Sequence, residues 1–234
     1  SDRGNVIRYN FFYDVGREDR SVMGVYCDDA TADVKVIGNV FYKVGQGRAT
    51  VFSNAGQDLL VKNNIFVDCG SAVEISSFFY TWGSKTSKIG NKYKDYEQGH
   101  IFYYLRDEYT KRLTEYIDIR KPPYSEKYPE LTDWLDPIPG APNEYVGIRP
   151  RRNLMINNVV YDSKELINRK GDYAQFETVN NYVTDEEPGF VDMAELDMRL
   201  KTDSVVFDKI PDFDPIPFEK IGLYSDHYRS VPGK

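Results

Sequence analysis

The chain has 234 residues, a net charge of −7 and a pI near 5.0. That acidity speaks against nucleic acid as a principal partner, because phosphate binding needs a basic face, and no apolar run approaches the roughly 18–20 residues of a membrane-spanning helix. Two cysteines, Cys27 and Cys69, are too few for a disulfide framework and read as buried thiols acting as small hydrophobes.

From the first residues onward the chain repeats itself. Gly4-Asn-Val-Ile-Arg-Tyr-Asn-Phe-Phe12, Asp33-Val-Lys-Val-Ile-Gly-Asn-Val-Phe41, Asp58-Leu-Leu-Val-Lys-Asn-Asn-Ile-Phe66 and Arg152-Asn-Leu-Met-Ile-Asn-Asn-Val-Val160 share one pattern. Each is a short alternating apolar run, then Asn, then a β-branched or aromatic pair. Asn39 and Asn64 lie 25 residues apart, a period that means stacked supersecondary units. The unit is too short for a helix pair and rich in strand formers. The spacing therefore predicts an all-β chain, a right-handed parallel β-helix whose coils occupy residues 1–75. Val36 aligns with Val61 and Phe41 with Phe66. The recurring Asn is expected at a tight bend, itself in the left-handed conformation and hydrogen-bonded to the coils above and below. Gly16, Gly45 and Gly70 mark turns.

Residues 76–150 interrupt the repeat. Ile101, Leu105, Tyr109, Leu113 and Ile117 recur at helical spacing, which predicts a helix over Gln98–Ile119 that ends before Pro122-Pro123. The Pro- and aromatic-rich stretch to Pro150 reads as a loop lying on the solenoid. Coils resume over 151–184, with a last partial strand at 177–184. An irregular tail over 185–234 packs on the solenoid. No capping segment precedes Asn5 and no signal peptide is visible, so the chain reads as the C-terminal part of a longer protein, with an N-terminal remainder outside it.

Gly24-Val-Tyr-Cys-Asp-Asp29, Gly38-Asn-Val-Phe41 and Asn63-Asn-Ile-Phe-Val-Asp-Cys69 resemble the coils of secreted bacterial right-handed parallel β-helix proteins of the pectate-lyase-like superfamily. Glu187-Pro-Gly-Phe-Val-Asp192, Met198-Arg-Leu-Lys201, Pro215-Ile-Pro-Phe218 and Tyr128-Pro-Glu-Leu131 extend the likeness over nearly the whole chain. The resemblance implies a polysaccharide or oligosaccharide partner and a location in the periplasm, at the cell surface or outside a bacterium. It leaves hydrolase, lyase and non-catalytic module open, since fold alone does not choose among them.

The candidate chemistry sits on one face. Alternation over Gly24–Asp29 turns Val25 and Cys27 inward and Tyr26 and Asp28 outward. In the next coil Phe52 is expected inward, with Val51 and Ser53 outward. In the third, Val73 and Ile75 point inward and Glu74 and Ser76 outward. Asp28 and Glu74 would then emerge two coils apart, with Cα atoms about 10 Å from each other. Leaning together, their carboxyl groups would reach the ~5–9 Å separation of glycoside hydrolysis, retaining or inverting. Asp29 is a third candidate acid; the alternative for the Asp pair is a strand-end turn. Ser53, Asn54 and Arg48 are candidate sugar contacts, and Trp82, Tyr104 and Trp134 of the insertion are candidate walls of a cleft. A hydrolase needs no cofactor. A lyase would need Ca²⁺ held by several carboxylates beside a Lys or Arg base; Asp28, Asp29 and Asp33 could supply ligands, but no further carboxylate stacks beside them. His100 and His227 have no partner at metal-ligand spacing, so no transition-metal site is expected.

Overall fold

The computed structural model describes residues 3–16, 18–19, 21–28, 30–77, 112–134, 136–139, 141–171 and 174–222. They form a parallel β-solenoid of about five turns. The first coil consists of β1 (Asn5–Arg8), β2 (Phe11–Tyr13) and β3 (Val25–Cys27). The second follows with β4 (Val34–Ile37), β5 (Val40–Tyr42) and β6 (Ala49–Asn54). The third holds β7 (Leu60–Lys62), β8 (Ile65–Val67) and β9 (Ser71–Ser76).

After β9 the chain leaves the repeat. The helix expected over Gln98–Ile119 lies outside the described residues except at its end, where Arg112–Tyr116 makes one π-helical turn. A single α-helical turn at Tyr124–Lys127 and a 3₁₀ turn at Pro129–Leu131 follow. The strands β10 (Pro137–Ile138) and β11 (Ala141–Tyr145) then pair as a small antiparallel ribbon. The solenoid resumes with β12 (Leu154–Ile156), β13 (Val159–Tyr161) and β14 (Glu165–Lys170). It ends on a partial coil, β15 (Glu177–Val179) and β16 (Tyr182–Thr184).

The strands stack into three parallel sheets. Sheet A has the order β1-β4-β7-β12-β15, sheet B the order β2-β5-β8-β13-β16, and sheet C the order β3-β6-β9-β14. Coils 3 and 4 pair as if the intervening residues were absent, Met155 beside Val61 and Val160 beside Phe66. The register matches the repeat, with Val36 opposite Val61 and Phe41 opposite Phe66. Like residues therefore stack on like. Phe12, Phe41 and Phe66 form a ring ladder with centroid spacings of 4.8 and 5.0 Å inside the core.

The bend between sheets A and B carries an asparagine ladder. The backbone N–H and Nδ2 of Asn39 both donate to Oδ1 of Asn64, at 2.9 and 3.0 Å. Asn64 does the same to Asn158, and Asn158 to Asn181. Asn10 opens the ladder by donating to Asn39. The left-handed residue of each bend is not the ladder asparagine but the one before it: Tyr9, Gly38, Asn63, Asn157 and Asn180 all have φ between 48° and 62°. The reason is geometric. The preceding residue makes the corner, which leaves the ladder Asn free to aim its amide along the solenoid axis.

Sheet B is apolar on both faces. Its outer residues Val40, Ile65, Val67 and Val159 meet Phe190, Met198, Val206, Ile210, Phe213 and Ile216 of the tail in a second buried cluster. The antiparallel pair β17 (Phe190–Asp192) and β18 (Asp197–Leu200) and a helical turn at Val206–Lys209 deliver Phe190, Met198 and Val206, and the irregular stretch after the turn delivers the other three. Asn63 pins the tail by donating to the carbonyl of Asp214 and accepting from its N–H, at 2.6 and 2.8 Å. The burial of this apolar face holds the 185–222 segment in place. Among the described residues no helix is long and apolar enough to cross a membrane.

Candidate functional site

Sheet C presents the face that the sequence singles out, but its register differs from expectation in one coil. Val51 pairs with Val25 and Val73, and Ser53 pairs with Cys27 and Ile75, so Val51 and Ser53 point into the core. Ser53 is fully buried, its Oγ has no hydrogen-bond partner, and it cannot meet a ligand on the outer face. Phe52 is the outward residue, stacked on Tyr26 with centroids 5.0 Å apart. Stacking explains the inversion: an outward ring covered by rings and guanidinium groups of adjoining coils is as dry as a core position, while a small serine fits inward beside a cysteine.

Two outward rows run along the solenoid axis. One reads Tyr26, Phe52, Glu74, Asn168 and the other, two residues further along each strand, ends the strands through Asn54, Ser76 and Lys170. Asp28 follows β3 directly and joins the second row, accepting a 3.0 Å hydrogen bond from Nδ2 of Asn54. Ser76 Oγ in turn donates to Oδ1 of Asn54 at 2.8 Å. Asp28, Asn54 and Ser76 thus form a continuous polar chain, one side chain per coil. Thr31 secures the Asp28 turn by donating its N–H and hydroxyl to the Asp28 carbonyl.

Asp28 and Glu74 therefore share a face but not a row. Two coils and two residues separate them, which puts their Cα atoms about 12 Å apart rather than 10. Glu74 is fully buried, and its carboxylate is held from both sides. Arg48 Nε lies 3.1 Å from Oε1, while Lys170 Nζ and Asn168 Nδ2 lie 3.0 and 3.2 Å from Oε2. The Arg48 guanidinium also covers the Phe52 ring at 4.4 Å. This cluster compensates its own charge: a buried acid that would be costly alone is neutralised by two cations whose outer sides reach water. Neither Asn168 nor Lys170 stands out in the sequence as a site residue. They sit on β14, where Glu165 and Arg169 fall at inward-facing register positions and break the apolar alternation.

Of the remaining candidates, Trp134 alone lies among the described residues. Trp134 packs on Gly147, where any side chain would collide with the indole, so it stabilises the insertion. Trp82, Tyr104 and Asp29 lie outside the described residues. Burial pushes the Cys27 and Cys69 thiols up to about 11, which keeps both protonated and unreactive near neutrality. Among the described residues no three His, Cys, Asp or Glu side chains converge as a cation site.

A second charged cluster joins the insertion to the corner between sheets C and A. Arg151 bonds both oxygens of Asp133 at 2.7 Å, and its Nε reaches Gln57 at 3.1 Å. Arg152 and Arg3 bind Asp58 at 2.5 and 2.8 Å, and Arg3 continues to Glu130 at 2.6 Å while lying over the Tyr128 ring. Gln57 donates to the carbonyl of Gly147. These arginines are engaged in holding residues 128–151 against the coils.

No protein-family model, curated protein or solved structure matches this chain. The fold and the outward rows of sheet C therefore define its class on their own: a parallel β-helix with a charge-compensated polar and aromatic face.

Proposed function

We propose that the protein is a carbohydrate-binding β-helix and that the outer face of sheet C takes a neutral glycan. The observation that carries the reading is the pair of adjacent rows. Tyr26 is 51% exposed at one end, and Asp28, Asn54 and Ser76 offer one polar side chain per coil. A sugar chain lying along the axis would find the exposed Tyr26 ring beside the exposed Asp28 carboxylate at the first coil and the Ser76 hydroxyl at the third, with the buried Asn54 linking the two, a lining suited to a glycan subsite. The likeness of its repeats to pectate-lyase-like proteins supports the same substrate class, and with it a place outside the bacterial cytoplasm.

A neutral rather than uronate-bearing glycan fits because Arg48 and Lys170 already share Glu74. The same engagement weighs against a lyase, which needs a cation available as base and a carboxylate cage for Ca²⁺. Hydrolysis by Asp28 and Glu74 fits less well than binding. Glu74 is fully buried with both oxygens engaged by Arg48, Lys170 and Asn168, and the row offset moves the pair apart.

Affinity electrophoresis through neutral polysaccharides (galactan, mannan, xyloglucan) and through polygalacturonate tests the reading. At least one neutral gel is expected to retard the protein, polygalacturonate is not, and Tyr26→Ala is expected to weaken retardation about tenfold. Retardation by polygalacturonate alone would overturn the neutral assignment. Release of reducing sugar that Asp28→Asn abolishes would make the protein a hydrolase.

A further inference from the structure

Sheets A and B run through five coils, but among the described residues sheet C stops after four. Its last strand, β14, follows the register of β9, and the chain then crosses to β15 without adding a strand beside it. After β16 the tail turns away at Pro188-Gly189 to cover sheet B. The Glu187 carboxylate accepts the N–H groups of Gly189 and Phe190 and shapes that turn. The core beneath β14 is closed. Ala174 and Phe176 are buried in it, and Arg169 donates to the Phe176 carbonyl at 2.8 Å. What stays open is the strand edge, not the core.

The ends of β14 fix which backbone groups point outward. Lys164 donates its N–H to the Cys69 carbonyl, and the Lys170 carbonyl accepts from the N–H of Ser77. Successive residues of a strand turn their backbone groups to opposite sides. Leu166, Asn168 and Lys170 therefore serve β9, while Glu165, Ile167 and Arg169 face away from it. Among the described residues the backbone groups of these three make no hydrogen bond on that side. None of the six residues of β14 is buried. An accessible strand edge of this kind is a template for strand addition.

We infer that the β14 edge takes one extended, acidic segment of a partner polypeptide as a fifth strand of sheet C. The strands β15 and β16 reach one coil beyond β14, paired on β12 and β13. The space between them admits a single strand, whereas the end of a second solenoid would meet β15 and β16 before its own strands reached β14. Charge selects the segment. Lys164, Arg169 and Lys170 are exposed along the edge, against one half-buried acid, Glu165, which already accepts from Ser71 Oγ at 2.8 Å. Arg169 forms no ion pair among the described residues. The segment that fits presents an apolar side chain opposite Ile167 and an acid opposite Arg169, two residues apart on one face. This edge lies at the far end of sheet C from β3, so the inference does not rest on the glycan reading.

The probe is the acetylated and amidated peptide Thr-Glu-Thr-Val-Thr-Glu-Thr, which brings an acid to Arg169 in either direction. At about 5 mM it is expected to slow amide exchange at Ile167 and Arg169 at least about fivefold, read by NMR on the full chain, with β1 and β2 unchanged. Replacing both peptide acids by Lys is expected to weaken the protection at least about twofold, and Arg169→Glu to reverse that preference. N-methylation of alternate peptide residues is expected to abolish binding in one frame and spare it in the other, because an edge strand uses every second N–H. The peptide variants keep the test independent of how Arg169→Glu folds. No protection at that concentration, protection that survives methylation in both frames, or a dimer that protects β14 without peptide would overturn the inference.

Discussion

Glu74 shows how one side chain can have two readings. On the outer face of a strand it has the position of a catalytic acid; its three donors give it the role of an anchor. Removing its charge leaves Arg48 and Lys170 facing each other without a counter-ion. Because both cations are partly exposed, the cost falls below the 3–5 kcal/mol of a fully buried broken pair. Glu74→Gln is expected to lower stability by about 2 kcal/mol in urea titration. Asn64 carries more. Its amide donates to Asn158 and to the carbonyls of Val36 and Lys62, and its oxygen serves Asn39. Asn64→Ala strands several buried groups at once and is expected to cost about 3 kcal/mol, against about 1 for Asn181→Ala at the end of the ladder. Equal losses at the two sites would show that the ladder acts as independent bonds.

At the scale of elements, ion pairs and hydrogen bonds join the described part of the insertion to the corner between sheets C and A. Burial by itself would raise the Asp58 carboxyl, but hydrogen bonds from Arg152 and Arg3 outweigh it and hold the group below the usual carboxylate range. Asp133 is lowered chiefly by its hydrogen bond from Arg151. Depressed carboxyl values mean that this stabilisation is complete above the unfolded value near 3.9 and is lost as pH falls through the folded values below it. Amide exchange over 130–134, taken relative to the intrinsic rate at each pH, is therefore expected to be slow at pH 6 and to quicken below about pH 4. Arg151→Ala is expected to quicken it already at pH 6, and unchanged exchange in that variant would assign the docking to other contacts. The elements also show what a sequence can and cannot reveal. Coils 1–3 are legible because stacking repeats the same side chains at one period, so Val36–Val61 and Phe41–Phe66 announce their own register. The second-coil strand of sheet C misleads because Phe52 looks like core and Ser53 like surface, whereas ring stacking reverses both. The strand β14 is hidden because Arg169 takes an inward register position, at the end of sheet C, and bonds the Phe176 carbonyl. Glu74 can be placed on the correct face by alternation alone, but its grip by Lys170 depends on a strand that returns 94 positions later in the chain.

For the whole molecule, the solenoid divides its three faces by role. Sheet B is covered by the tail, the corner between C and A holds the insertion, and the outer rows of sheet C present aligned polar and aromatic groups. Stacking makes such a face additive: each coil adds one position to each row, so binding should grow with the number of coils a glycan spans. The most direct test is a hydrogen-exchange footprint of the protein with the neutral polysaccharide that retards it most. The account predicts protection concentrated in β3, β6, β9 and β14 and at Asp28, with sheet A and the tail unchanged. Protection confined to sheet A or to the tail, with sheet C exchanging as in the free protein, would contradict it.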